Sequence, residues 1–241
     1  MSFGPPLTPM VKKLIIVMSA VFAITYIPGH YFGLDPTNYL YWFGLSPYLV
    51  LHKLYVWQLV TYLFIHGGWF HIIFNLFALW MFGADLESLW GGKKFLVFFF
   101  VTGIGAGIFD VVLNSIFRPG VFALIPTIGC SGAIFGLLLA FGMLFPNRII
   151  YLYMIVPIKA KWFVLIFGAI EFFASFNSGS DISHFAHLGG MLFGFLFLRG
   201  ASLPFRWQNS YEDWRRAQLR KKFEVYMRDR EKKDNHGRWV N

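Results

Sequence analysis

One cysteine, Cys130, stands in 241 residues, so the chain can form no internal disulfide and no metal centre built on clustered cysteines. Charge is scarce too: Asp, Glu, Lys and Arg make up 14% of the chain, against 57% hydrophobic and 21% aromatic residues. That balance excludes an ordinary soluble domain. No internal repeat is visible, which argues against a transporter of duplicated halves using Asp110, Glu171 and the histidines as an ion path. A zinc centre made from His66, His71, His184 and His187 has neither a His-Glu-x-x-His signature nor a nearby carboxylate in its favour.

What the chain has in abundance is apolar length. Runs able to span, or nearly span, a bilayer fall at 14–33, 68–86, 95–116, 130–145, 162–177 and 183–199. The expectation is an all-α polytopic membrane protein whose six-transmembrane-helix bundle occupies residues 14–200. A cytoplasmic lead, 1–13, precedes the bundle, and a basic cytoplasmic tail, 201–241, follows it. Lys12 and Lys13 before the first run resemble a signal-peptide start, but no small-x-small cleavage site stands out, so the run is read as an uncleaved span.

Basic residues set the orientation. With the N-terminus inside, 19 of the 21 Lys and Arg residues lie on the cytoplasmic side and only Lys53 and Arg118 lie outside. The net charge of +9 therefore reports topology and not nucleic-acid binding. Both termini are expected in the cytoplasm and the chain in a bacterial inner (plasma) membrane. The segment Asp35–Ile65 carries Tyr39, Tyr41, Trp42, Phe43, Tyr48, Tyr55, Trp57 and Tyr62, so this first loop is placed partly in the outer leaflet as an anchoring aromatic belt.

The chemistry centres on Gly129-Cys130-Ser131-Gly132, which opens the fourth apolar run. Free backbone N–H groups and the positive end of the helix dipole lie at such a start, suited to negative charge developing on a carbonyl oxygen. A serine hydroxyl there needs a base to become a nucleophile. The fourth helix is short, 16 residues or ~24 Å, so Ser131 sits below the membrane surface, beneath Pro126 and Thr127. Gly132 and Gly136 form a small-xxx-small face, and Gly190 and Gly194 form its match on the sixth helix. His187, three residues before Gly190, comes alongside Ser131 if these faces meet.

On the second helix, starting near Gly68, His71 and Asn75 are four apart and share a face. They support an oxyanion or, more blandly, bond neighbouring helices. The resulting scheme is a dyad. Ser131 attacks, His187 carries the proton, and His71, Asn75 and the Ser131 N–H hold the oxyanion. Phe135, one turn after Ser131, packs on the imidazole. No carboxylate falls near His187 on its own helix except Asp181 at the mouth. His184 lines the water access or else acts as a partner or rival of His187, and Cys130 points ~100° from Ser131. Asp110 reaches the interface or else relays protons with Glu171 as its partner, Glu171 is otherwise structural, and Glu87 caps or ties the inner loop.

These motifs together resemble those of the rhomboid intramembrane serine proteases: Gly129-x-Ser131-Gly132, the run His66, His71 and Asn75, the segment Ala186-His187-Leu188-Gly189-Gly190 with Gly194, and Trp57 ahead of the second helix. The resemblance implies Ser131 as nucleophile, His187 as base, and His71 and Asn75 as oxyanion support. It also implies transmembrane protein substrates cut near the outer face, with no cofactor and no metal. Gln58 stands where the family often has Arg, and Phe135 where some members have Tyr. The alternative function is a catalytically silent rhomboid-like protein that binds membrane clients. From Ala201 the chain turns charged, with Trp207, Trp214 and Trp239; Leu219, Phe223 and Tyr226 form either an amphipathic helix on the anionic inner leaflet or part of a solvated tail.

Overall fold

A computed structural model describes residues 5–33, 35, 37–118, 120–152, 156–176 and 183–200, together with 216, 218–220, 223–228 and 230. Asp181, Trp207, Trp214 and Trp239 lie outside the described residues. The chain divides into two compact units, Met1–Ala201 and Ser202–Asn241.

Helix α1 (Pro9–Phe32) begins without a side-chain cap from Thr8. Its first N–H groups are satisfied from elsewhere: the Glu87 carboxylate accepts from Met10 N at 2.9 Å, Val11 N at 2.9 Å and Thr8 Oγ1 at 2.5 Å. A carboxylate at a helix N-terminus meets both orphan donors and dipole. The following loop folds into α2 (Thr37–Phe43), α3 (Pro47–Lys53) and α4 (Gln58–Thr61), then a 3₁₀ turn, Tyr62–Phe64. Gln58 is fully buried, accepting from Ser46 N at 3.1 Å and donating to Tyr41 O at 2.8 Å, while Trp57 Nε1 donates to Trp42 O at 2.8 Å. These bonds fasten the loop to itself and leave the rings of Tyr41, Trp42 and Trp57 exposed.

Helix α5 (Trp69–Ala78) runs through a π-helical turn, Leu79–Gly83, into α6 (Ala84–Trp90), and Gly91 leads directly into α7 (Gly92–Phe117). Among the described residues, three helical runs are long and apolar enough to cross a membrane: α1, the α5–α6 run and α7. Their outward faces expose large apolar side chains such as Ile24, Phe70, Phe74, Val112 and Ile116. In water that surface would be unfavourable; against lipid it is what a spanning helix needs. The chain is an integral membrane protein.

Helix α8 (Ser131–Leu144) is apolar and short, 14 residues, or ~21 Å. Between α8 and α9 the all-helical expectation fails. Strands β1 (Ile149–Leu152) and β2 (Val156–Lys159) pair antiparallel, with Ile150 opposite Ile158 and Leu152 opposite Val156. Their β-branched residues favour a pleated ribbon over an irregular loop. Helices α9 (Ala160–Ala174) and α10 (His184–Gly200) complete the first unit.

The packed centre is α7, α8 and α10. A Cβ on Gly132 would lie 2.6 Å from Ala106 Cβ and 3.1 Å from Ala186 O, and one on Gly136 would lie 2.7 Å from Thr102 Cβ and 3.0 Å from Gly190 O. A Cβ on Gly190 would enter the Gly132 carbonyl, and one on Gly194 would lie 3.2 Å from Gly136 Cα. Only hydrogen in place of a side chain permits this approach. The two small-residue faces therefore meet, with α7 closing the third side. In the tail, the described residues are helical, and Leu219, Phe223 and Tyr226 are exposed.

Candidate active site

Gly129 sets the entry to α8. Its φ of +105° is a conformation that side chains disfavour, and a Cβ there would lie 2.5 Å from His71 Nε2. Glycine thus lets the loop turn while the His71 ring packs against its backbone. The loop is held on both sides: Gly129 N donates to Tyr62 O at 2.9 Å, and Leu45 and Thr127 exchange backbone bonds of 2.9 Å. Ser131 follows as the first residue of α8.

His187 Nε2 lies 2.8 Å from Ser131 Oγ. The imidazole stacks on Phe135, with centroids 4.2 Å apart and planes 14° from parallel. The hydroxyl and the imidazole are therefore within proton-transfer reach, and the ring has a flat floor that limits its rotation. The meeting of Gly132 with Gly190 accounts for the distance, since His187 and Gly190 lie on one face of α10.

His71 and Asn75 line the same region from α5. Asn75 is buried, and its Nδ2 donates to His71 O at 2.8 Å, committing one of two amide hydrogens. Cys130 turns toward this group and away from Ser131: its Sγ lies 3.7 Å from Asn75 Oδ1 and 3.8 Å from His66 Nε2. The His66 and His71 rings are 5.1 Å apart, edge to face. Cys130 and His66 thus form a buried polar link between α8 and α5.

One expectation about an acidic residue is corrected, and for a second the structure supplies the partners. Asp110 does not reach the interface. It is fully buried and accepts from Asn114 Nδ2 at 2.9 Å, Thr127 Oγ1 at 2.9 Å and Ser183 Oγ. A carboxylate with several donors is stable at depth, and here it ties α7 to the loop before Ser131 and to the start of α10. Glu171, expected to be structural, faces the histidines: one oxygen, Oε2, lies 2.6 Å from His184 Nδ1 and 2.9 Å from His187 Nδ1. His184 is accordingly buried with its Nδ1 against Glu171. Sequence reasoning sought a carboxylate on the histidine helix alone. The available signal was the face of α9 that carries Ala160, Val164 and Glu171, all buried at helical spacing.

Glu171, His184 and His187 are also the one group of three possible metal ligands found among the described residues, with donor atoms within 4.8 Å of one another. The tetrahedral zinc site implied by bonds of ~2.0–2.1 Å needs ligand atoms ~3.3 Å apart. The 2.6 and 2.9 Å separations here are those of charged and hydrogen-bonded groups.

The chain is similar in sequence to several known proteins. Rhomboid protein 1, mitochondrial, of Saccharomyces cerevisiae is 27% identical over 226 residues, covering 81% of this chain and 64% of that one. RHOMBOID-like protein 1 of Arabidopsis thaliana is 32% identical over 154 residues, covering 64% and 36%. Rhomboid protease GluP of Bacillus subtilis is 31% identical over 174 residues, covering 71% and 31%. The chain spans less than two thirds of the length of each of these curated relatives. Residues 53–202, more than half of the chain, match the family model described as the Rhomboid domain, and the chain therefore belongs to the rhomboid family.

Proposed function

We propose that this chain is an intramembrane serine endopeptidase that cuts transmembrane proteins near the outer membrane face. The observation that carries the reading is the 2.8 Å contact between Ser131 Oγ and His187 Nε2. As the Ser131 oxygen bonds to a peptide carbonyl carbon, its proton passes to His187 Nε2 and the carbonyl π electrons move to oxygen. The resulting oxyanion is held by the Ser131 N–H, by His71 and by the uncommitted Asn75 amide hydrogen. Collapse returns the proton from His187 to the leaving amine and breaks the C–N bond. Water, activated by the same imidazole, then frees the acyl group from Ser131.

In this reading the chain crosses the membrane six times, through α1, the α5–α6 run, α7, α8, α9 and α10, with both termini in the cytoplasm. The Lys and Arg bias supports that orientation. It does not choose among membranes, since the relatives named above include a mitochondrial protein, a plant protein and a bacterial one.

The test is labelling of the detergent-solubilised chain with a fluorescent fluorophosphonate. Wild type and Cys130→Ala take the label, and Ser131→Ala and His187→Ala do not. A well-folded wild type that stays unlabelled in both detergent and lipid would contradict the reading in favour of a client-binding protein without activity.

A further inference from the structure

Glu171 is a carboxylate that the Ser131–His187 mechanism does not yet use. It sits on the buried face of α9, 9% exposed. A charge at that depth needs compensation, and both groups that supply it are imidazoles of α10, at 2.6 and 2.9 Å from one oxygen. An ionised carboxylate only accepts hydrogen bonds, so each facing Nδ1 carries its proton. For His184 the contact has hydrogen-bond geometry. For His187 the oxygen lies off the N–H direction, and Nδ1 has no hydrogen-bond partner, so with the ring neutral the contact is an unaligned charge–dipole approach across 2.9 Å, which becomes an ion pair when the ring is protonated.

That distribution of protons has a consequence at the other end of the ring. With the proton on Nδ1, Nε2 presents a lone pair to Ser131 Oγ, which is the tautomer a general base requires. We infer that Glu171 is a positioning residue of the Ser131–His187 centre: it keeps the His187 proton on Nδ1 and stabilises the imidazolium formed when the Ser131 proton crosses to Nε2. Glu171 remains ionised throughout and exchanges no proton. The inference rests on the protease reading above.

Other groups around His187 do not fill this role. His71 from α5 and Asp110 from α7 are within electrostatic reach of it. His71 brings no negative charge. Asp110 is committed to Asn114, Thr127 and Ser183. Among the described residues, Glu171 is the carboxylate in contact with the imidazole. His184, one turn earlier on α10, holds the shared oxygen in place.

The experiment measures fluorophosphonate labelling rates of the full chain against probe concentration, with thermal unfolding recorded for each variant. Glu171→Gln is expected to lower the maximal rate about 10- to 100-fold, less than the ~10⁴-fold cost of losing an aligned triad carboxylate. The half-saturating probe concentration should not change, and the unfolding temperature should hold. Glu171→Asp keeps the charge and should recover part of the rate. His184→Gln should lose less than Glu171→Gln, because the carboxylate still faces His187. Wild-type labelling by Glu171→Gln would overturn the inference and leave the protease reading standing. Equal losses in Glu171→Gln and His184→Gln, each with a matching fall in unfolding temperature, would reduce Glu171 to a structural tie. An unlabelled wild type would overturn both readings together.

Discussion

Two helices pack near α8 on opposite terms. Helix α10 meets it backbone to backbone, with Gly132 and Gly136 against Gly190 and Gly194, and nothing flexible lies between. Helix α9 meets it mainly through a side chain: a Cβ on Gly142 would lie 2.4 Å from Val164 Cγ2 and 3.4 Å from the Ala160 carbonyl, and Leu165, Ile170 and Phe173 on the rest of the α9 surface are exposed. Ser131 and His187, the proposed nucleophile and base, thus lie on the seam that cannot yield, while Glu171 is carried by the helix that can. The Ser131–His187 distance is set by backbone, and in the proposed scheme Glu171 orients the ring without setting that distance.

Substitutions on the seam and away from it should separate these regimes. The largest effect is expected of Gly190→Ala, whose methyl would enter the Gly132 carbonyl. It should cost at least the upper end of the ~1–3 kcal/mol typical of overpacking, and abolish labelling, as read by thermal unfolding in detergent and by fluorophosphonate. Asp110→Asn comes next, since it weakens the tie among α7, the Ser131 loop and α10. Loss of a buried charged acceptor should lower stability by about 1–3 kcal/mol, measured the same way. Phe135→Ala removes the floor beneath His187. An aromatic stack is worth about 0.5–1.5 kcal/mol, so labelling should fall a few-fold, and Phe135→Tyr should retain it. The smallest effect is expected of Gly168→Ala on α9. There the new methyl meets only the end of Met191, 3.0 Å from Cε, which can swing aside. Stability should stay within about 0.5 kcal/mol of wild type. A Gly168→Ala cost equal to that of Gly190→Ala would erase the contrast.

What could be read from the chain follows the same division. Helical periodicity identifies residues that share a face, so Gly132 with Gly136, Gly190 with Gly194, and His71 with Asn75 were all legible, and the first two pairs implied that Ser131 would meet His187. Periodicity within one helix does not say which helix its polar face will meet. For that reason Glu171 was considered as a partner for Asp110, whereas α9 presents it to α10, and Asp110 turns to Ser183 and Thr127. The contacts of Cys130 with His66 and Asn75 were hidden for the same reason. The β1–β2 ribbon was missed because each strand has four residues, too short a stretch for alternation to stand out from a loop.

The most direct test of the account is cleavage of a single-span reporter protein in proteoliposomes, with product masses locating the cut. The account predicts that wild type and Cys130→Ala cut the reporter near the outer end of its span, and that Ser131→Ala and His187→Ala leave it whole. A reporter that co-purifies equally with wild type and Ser131→Ala, yet is cut by neither, would contradict proteolysis and identify a membrane client-binding protein instead.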